Sequence, residues 1–160
     1  MNLHGIHRAQ KKSNNEWVVG YYIYCEGKHF IKNGNTLNDG WHEVYEDTLC
    51  RYCGINDICN HMIFEGDILE TRTYDYFKKL TFVDDYVVRY PAKRFGFVLQ
   101  TISCYLSPKS KDGIKLPREA HKMKIIGNII DSPNLAQELH SHGRMREGNQ
   151  TDLTTGCLHQ

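Results

Sequence analysis

Short runs of β-branched and aromatic residues recur along this chain, and turn-forming residues separate them at close intervals. The clearest run is residues 16–25, EWVVGYYIYC, which follows Lys12-Ser13-Asn14-Asn15 and is interrupted only by Gly20. Glu26-Gly27 then reads as a tight hairpin turn into residues 28–32, and Asn33-Gly34-Asn35 marks another reversal. Further strands are expected at 41–45, 48–53, 62–64 and 67–72. Residues 80–90 and 95–106 flank Pro91-Ala92-Lys93-Arg94 as a longer hairpin. Strands this short at this spacing favour an antiparallel barrel or sandwich.

One helix is expected. After the apolar strand at 123–130, Asp131 or Ser132 offers a cap and Pro133 suits a first helical turn. Leu135 and Leu139 then share a face, which places the helix at about 133–140. Residues 141–160 carry few buriable groups and read as a flexible tail after a β domain at 1–140. Residues 107–120, SPKSKDGIKLPREA, are the best sequence candidate for a mobile basic surface loop.

Three ordered stretches are similar to the YopX-like family of phage and prophage proteins. Residues 7–24 resemble its strand, polar turn and E-W-V-x-G opening. Residues 43–69, with Cys53-Gly54-Ile55 and Ile63-Phe64-Glu65-Gly66-Asp67-Ile68, resemble its T-G-[LI] and I-[YF]-E-G-D-[IV] stretch. Residues 125–135, IIGNIIDSPNL, resemble its V-I-G-N-I-x-x-N-P-E-L ending. Cys53 stands where Thr is common, and Ile58-Cys59-Asn60-His61 replaces a Lys/Asn/Gly-rich turn. Residues 71–124 agree with the family only in hydrophobic pattern. The resemblance implies a mainly β fold, a bifurcated antiparallel sheet rolled into an SH3-like pseudo-barrel with a short helical cap. It implies no activity, and it implies a bacterial host cytoplasm as the setting.

The motif residues suit structural work. Gly66 supplies a backbone angle other residues resist, and the Asp67 carboxylate can accept backbone N–H groups across the turn. Glu65 and Asp67 would alternatively form a carboxylate pair for acid/base chemistry. Asn128, beside Gly127 and between apolar residues, reads as a satisfied buried hydrogen-bonder, and Trp17 as a core anchor.

Two further chemistries bear on the chain. Cys50, Cys53, Cys59 and His61 offer four zinc-type ligands in twelve positions, but the spacing matches no zinc knuckle, and Cys59-x-His61 places two ligands on one strand face. No cofactor is therefore expected. A Gly-rich phosphate loop, a G-x-S-x-G elbow and H-E-x-x-H are all missing, so the chain is read as non-enzymatic. No run approaches the ~20 apolar residues of a membrane-spanning helix. The chain is read as cytoplasmic, with no membrane partner and its six cysteines mostly reduced.

Charge is where binding enters. The net charge is +1, yet residues 35–70 hold one basic residue against eight acidic and residues 71–124 twelve basic against five acidic. A basic face would comprise Arg72, Lys78, Lys79, Arg89, Lys93 and Arg94 with the 109–124 loop, and Tyr74, Tyr76 and Phe77 add rings that could stack on bases. The leading expectation is a binding module for a host or phage macromolecule, a protein in preference to a nucleic acid. The alternatives are a nucleic-acid-binding barrel and a zinc- or carboxylate-based enzyme. Opposed charges also permit head-to-tail self-association.

Overall fold

The computed structural model describes residues 5–34, 40–91, 96–107 and 113–141. Lys93, Arg94, part of the basic loop (108–112) and the tail at 142–160 lie outside them. Eleven strands follow in chain order: β1 Ile6–Gln10, β2 Trp17–Cys25, β3 Lys28–Lys32, β4 Trp41–Glu43, β5 Cys50–Asn56, β6 Met62–Phe64, β7 Asp67–Tyr74, β8 Leu80–Arg89, β9 Val98–Thr101, β10 Ile114–Lys115 and β11 Lys124–Asn128. Two short helices are α1, Ile102–Leu106, and α2, Leu135–Ser141. The strands form two antiparallel sheets, ordered β4-β3-β2-β1-β5-β6 and β10-β9-β8-β7-β11. The mainly β expectation and the single helix at the C-terminal end both hold, and neither sheet's strand order closes on itself.

The β2–β3 turn shows how local chemistry fixes register. Glu26 and Gly27 both have positive φ, 50° and 78°, which matches the twist that two-residue hairpins require. Gly20 is fixed differently. A Cβ there would sit 2.2 Å from the Lys32 carbonyl oxygen, so the approach of β2 to β3 excludes any side chain.

The chain crosses from one sheet to the other at Glu65-Gly66, between β6 and β7. Asp67, Ile68, Leu69 and Glu70 are buried in succession, as expected of a strand covered on both faces. Leu69 joins Ile63, Val88, Leu99, Ala120 and Met123 in one cluster. Ile68 points the other way, to Val87, Ile102 and Ala136 beneath the two helices. A third cluster, Ala9, Val18, Ile31 and Val44, fills one face of the six-stranded sheet.

Several elements differ from the sequence expectation. The strand expected over 95–106 is β9 followed by α1. The Thr101 hydroxyl accepts the Cys104 N–H and caps that helix, and Ile102 is buried against Ile68 and Val87, so packing overrides β propensity. Within the expected loop at 107–120, residues 113–120 carry regular structure: β10 pairs with β9, and Ala120 is buried in a 3-10 turn over Arg118–Lys122. The strand expected at 48–53 begins at Cys50, after a 3-10 turn at Glu46–Thr48. Helix α2 begins at Leu135, not 133, and the Asp131 carboxylate accepts from the Trp17 indole Nε1 at 3.0 Å. Cys59 lies in a turn and His61 just after it, so they do not share a strand face.

Candidate functional site

The family-like motifs meet at one junction between the sheets. Asp67 on β7 has no solvent exposure. Its carboxylate accepts from the Arg8 guanidinium on β1, from the Phe64 N–H at 2.7 Å and from the Asn128 side-chain amide at 3.0 Å. The Arg8 guanidinium lies between the Trp17 and Phe64 rings, 4.9 and 4.7 Å from their centroids. Asn128 also accepts the Ile130 N–H at 2.8 Å, and Gly66, at φ +85°, donates to Val88 and accepts from Ile129. Burial is the main influence on the Asp67 carboxyl and raises its pKa, while Arg8 and the hydrogen bonds pull it down. A carboxylate this enclosed cannot reach a substrate. Glu65 accepts the Tyr90 N–H at 3.1 Å. The two acids therefore serve separate backbone contacts and form no pair.

The cysteine and histidine candidates are also separated. Cys50 is buried beside Ile6, Tyr52 and Phe64, whereas Cys53 packs against the Ile63–Leu69 cluster. Residues three apart on a strand face opposite ways. Burial pushes both thiols up to about 11, so neither offers a thiolate at neutral pH. His61 is exposed, with its Nδ1 3.7 Å from Asp57. Among the described residues no group of three or more His, Cys, Asp or Glu side chains could hold a metal ion. Cys25, Cys50, Cys53 and Cys104 are reduced, and Cys59 is disulfide-bonded. Gly54, at φ +86°, leaves open space around its Cα.

The basic candidates fall into distinct places. Arg72 is bonded through Nε to the buried Glu70 carboxylate at 2.6 Å, which raises its pKa further. On the neighbouring strand Asp85 lies opposite Glu70, and the Ile68–Val87 pair follows. These separate Arg72 from Arg89, whose guanidinium lies 5.8 Å from the Tyr105 ring. One continuous basic face does not form from these residues. Lys78 and Lys79 instead sit at the β7–β8 turn.

That turn is the most exposed aromatic feature of the described residues. Tyr76 is 95% exposed and Phe77 84%, with their rings edge-to-face at 5.5 Å. Asp75 builds the turn. Its carboxylate accepts the N–H groups of Phe77 (2.9 Å) and Lys79 (2.8 Å), its carbonyl accepts that of Lys78, and its own N–H donates to the Lys79 carbonyl. Lys78 takes the positive φ, 59°, that such a tight turn requires. The turn thus holds the N–H groups of Asp75, Phe77, Lys78 and Lys79 in hydrogen bonds, and the tip projects two rings and two ammonium groups. Exposed apolar groups on an ordered support mark interaction sites.

Sequence reasoning selected Tyr76, Lys78 and Lys79 but passed over Asp75, although an Asp opening a tight turn is a known Asx-turn signal. It also missed Arg8, whose partner is 59 residues away, and Asp57. The Asp57 carboxylate is buried and accepts from the N–H groups of Cys59, His61 and Ile125, tying the β5–β6 turn to β11.

The model of the YopX protein family matches residues 7–137. No curated protein matches this chain. Among solved structures, protein EF1440 from Enterococcus faecalis is similar at 17% identity, over 82% of this chain and 96% of that one, with a TM-score of 0.45.

Proposed function

The chain belongs to the YopX protein family, and on that premise we propose that it is a non-catalytic module that binds a host or phage protein through the β7–β8 tip. One observation carries this reading: Tyr76 and Phe77 stand almost fully exposed on a turn that Asp75 closes. Such a tip can enter an apolar pocket without leaving its bonded N–H groups unpaired, which avoids the cost of burying orphaned donors. Aromatic side chains held this way contribute binding area at little loss of conformational freedom. The proposed activity uses no metal or cofactor and takes place in the cytoplasm. The separation of Glu65 from Asp67 and the high thiol pKa values support a non-catalytic role.

A nucleic-acid reading rests on Lys78 and Lys79 beside the two rings, a combination that suits stacking on single strands. It is the second reading, because Glu70 occupies Arg72 and acidic Asp85 lies between Arg72 and Arg89.

The test is affinity capture from host lysate with and without nuclease, followed by reconstitution with the purified captured protein. The protein reading expects nuclease-resistant capture and a purified complex that Tyr76→Ser with Phe77→Ser abolishes. Capture lost to nuclease, with oligonucleotide binding that falls steeply with salt, would transfer the function to nucleic acid.

A further inference from the structure

We infer that the same tip also docks a second copy of this chain, head-to-tail on the end of the six-stranded sheet around Tyr24, Tyr45, Glu46 and Asp47. The inference rests on the tip being the contact surface and extends its use to self-association. The receiving surface is built from exposed rings joined to carboxylates. Tyr24 is 62% exposed at the end of β2, and its ring meets that of His29 at 5.1 Å. His29 Nε2 lies 3.4 Å from the Glu46 carboxylate, and its Nδ1 is bonded to the Tyr22 hydroxyl at 2.9 Å. Tyr45, Glu46 and Asp47 are consecutive and all exposed. Tyr24, His29 and Glu46 thereby form one continuous surface of rings edged by acid.

The two surfaces are complementary in both respects that matter. The tip presents Tyr76 and Phe77 with two cations, and the receiving surface presents Tyr24 and the Glu46 carboxylate, with exposed Tyr45 and Asp47 on either side of Glu46 in the chain. Pairing tip with tip would oppose Lys78 and Lys79 to themselves, so a tip-on-tip dimer is disfavoured and the contact joins tip to sheet end. Aromatic side chains bury about 150–250 Å² each, which makes this a small interface and a weak one.

The test is sedimentation velocity of the full chain over a concentration series at low and moderate salt. The wild type is expected to associate as concentration rises, and less so as salt screens the charged rim. Lys78→Glu with Lys79→Glu places acid against acid. Glu46→Lys with Asp47→Lys places base against base. Each variant alone should associate at least about tenfold more weakly, because like charges then face one another. An equimolar mixture of the two variants restores opposite charges at every contact and should recover association. A wild type that stays monomeric, variants that associate like the wild type, or a mixture that does not recover would each overturn the inference. The tip reading fails separately: that requires Tyr76→Ser with Phe77→Ser to keep its complex with the captured protein. Unchanged thermal midpoints show that the variants are folded.

Discussion

Asp67 carries more of the molecule than any other polar side chain described, because its partners lie on three different segments: Arg8 on β1, Phe64 at the end of β6 and Asn128 on β11. Asp67→Ala would leave a half-enclosed guanidinium, an amide and a backbone N–H without their acceptor. Breaking a buried pair in this way costs roughly 3–5 kcal/mol, to be read as a lower urea midpoint. The pH dependence runs opposite to that of an ordinary salt-bridged aspartate. Burial lifts the Asp67 carboxyl above 3.8, so the folded protein holds a proton that the unfolded chain releases in that window. The group's stabilisation is complete below 3.8 and is lost as pH rises through the higher folded value. Compared with Asp67→Asn, the wild type should therefore lose urea stability as pH rises above 3.8 and through the raised folded value. The thiols give a simpler expectation. Exposed Cys25 should react with a thiol reagent in the native protein, whereas buried Cys50, pushed up to about 11, should react only after unfolding.

Two glycines show that the same residue type can serve different elements for different reasons. At Gly20 any Cβ collides with the Lys32 backbone, so Gly20→Ala must part β2 from β3 and should cost about 1–3 kcal/mol or more. At Gly54 nothing lies near, and Gly54→Ala should cost only the roughly 1–2 kcal/mol of a left-handed backbone. Thermal denaturation of the pair separates the two causes. Elements whose signals are local were legible from the sequence: the Glu26-Gly27 hairpin, the long β7 and β8, and α2 to within two residues. Helix α1 was not legible, because Ile102 and its neighbours carry strand propensity and only their packing on Ile68, Val87 and α2 makes them helical. The same distinction holds at the candidate surface. Tyr76, Lys78 and Lys79 were visible as neighbouring rings and charges, but the separation of Arg72 from Arg89 depends on which residues of β8 face β7. Asp75→Ala removes the acceptor for two N–H groups, so it should loosen the tip and weaken self-association while leaving the sheets intact.

Over the whole molecule, two open sheets share one corner. Tyr76→Ser with Phe77→Ser touches neither core, so the unfolding free energy should stay within about 0.5 kcal/mol of wild type even as binding is lost. Among the described residues no helix is long and apolar enough to cross a membrane. The corner also provides its own reporter. Trp17 lies under the Arg8 guanidinium with its indole N–H on Asp131, while Trp41, the only other tryptophan, is exposed at the far edge of the same sheet. In a Trp41→Phe protein all indole emission would come from the corner, quenched or shifted by the cation above it. Stopped-flow fluorescence could then time the parting of the two sheets independently of the melting of either one.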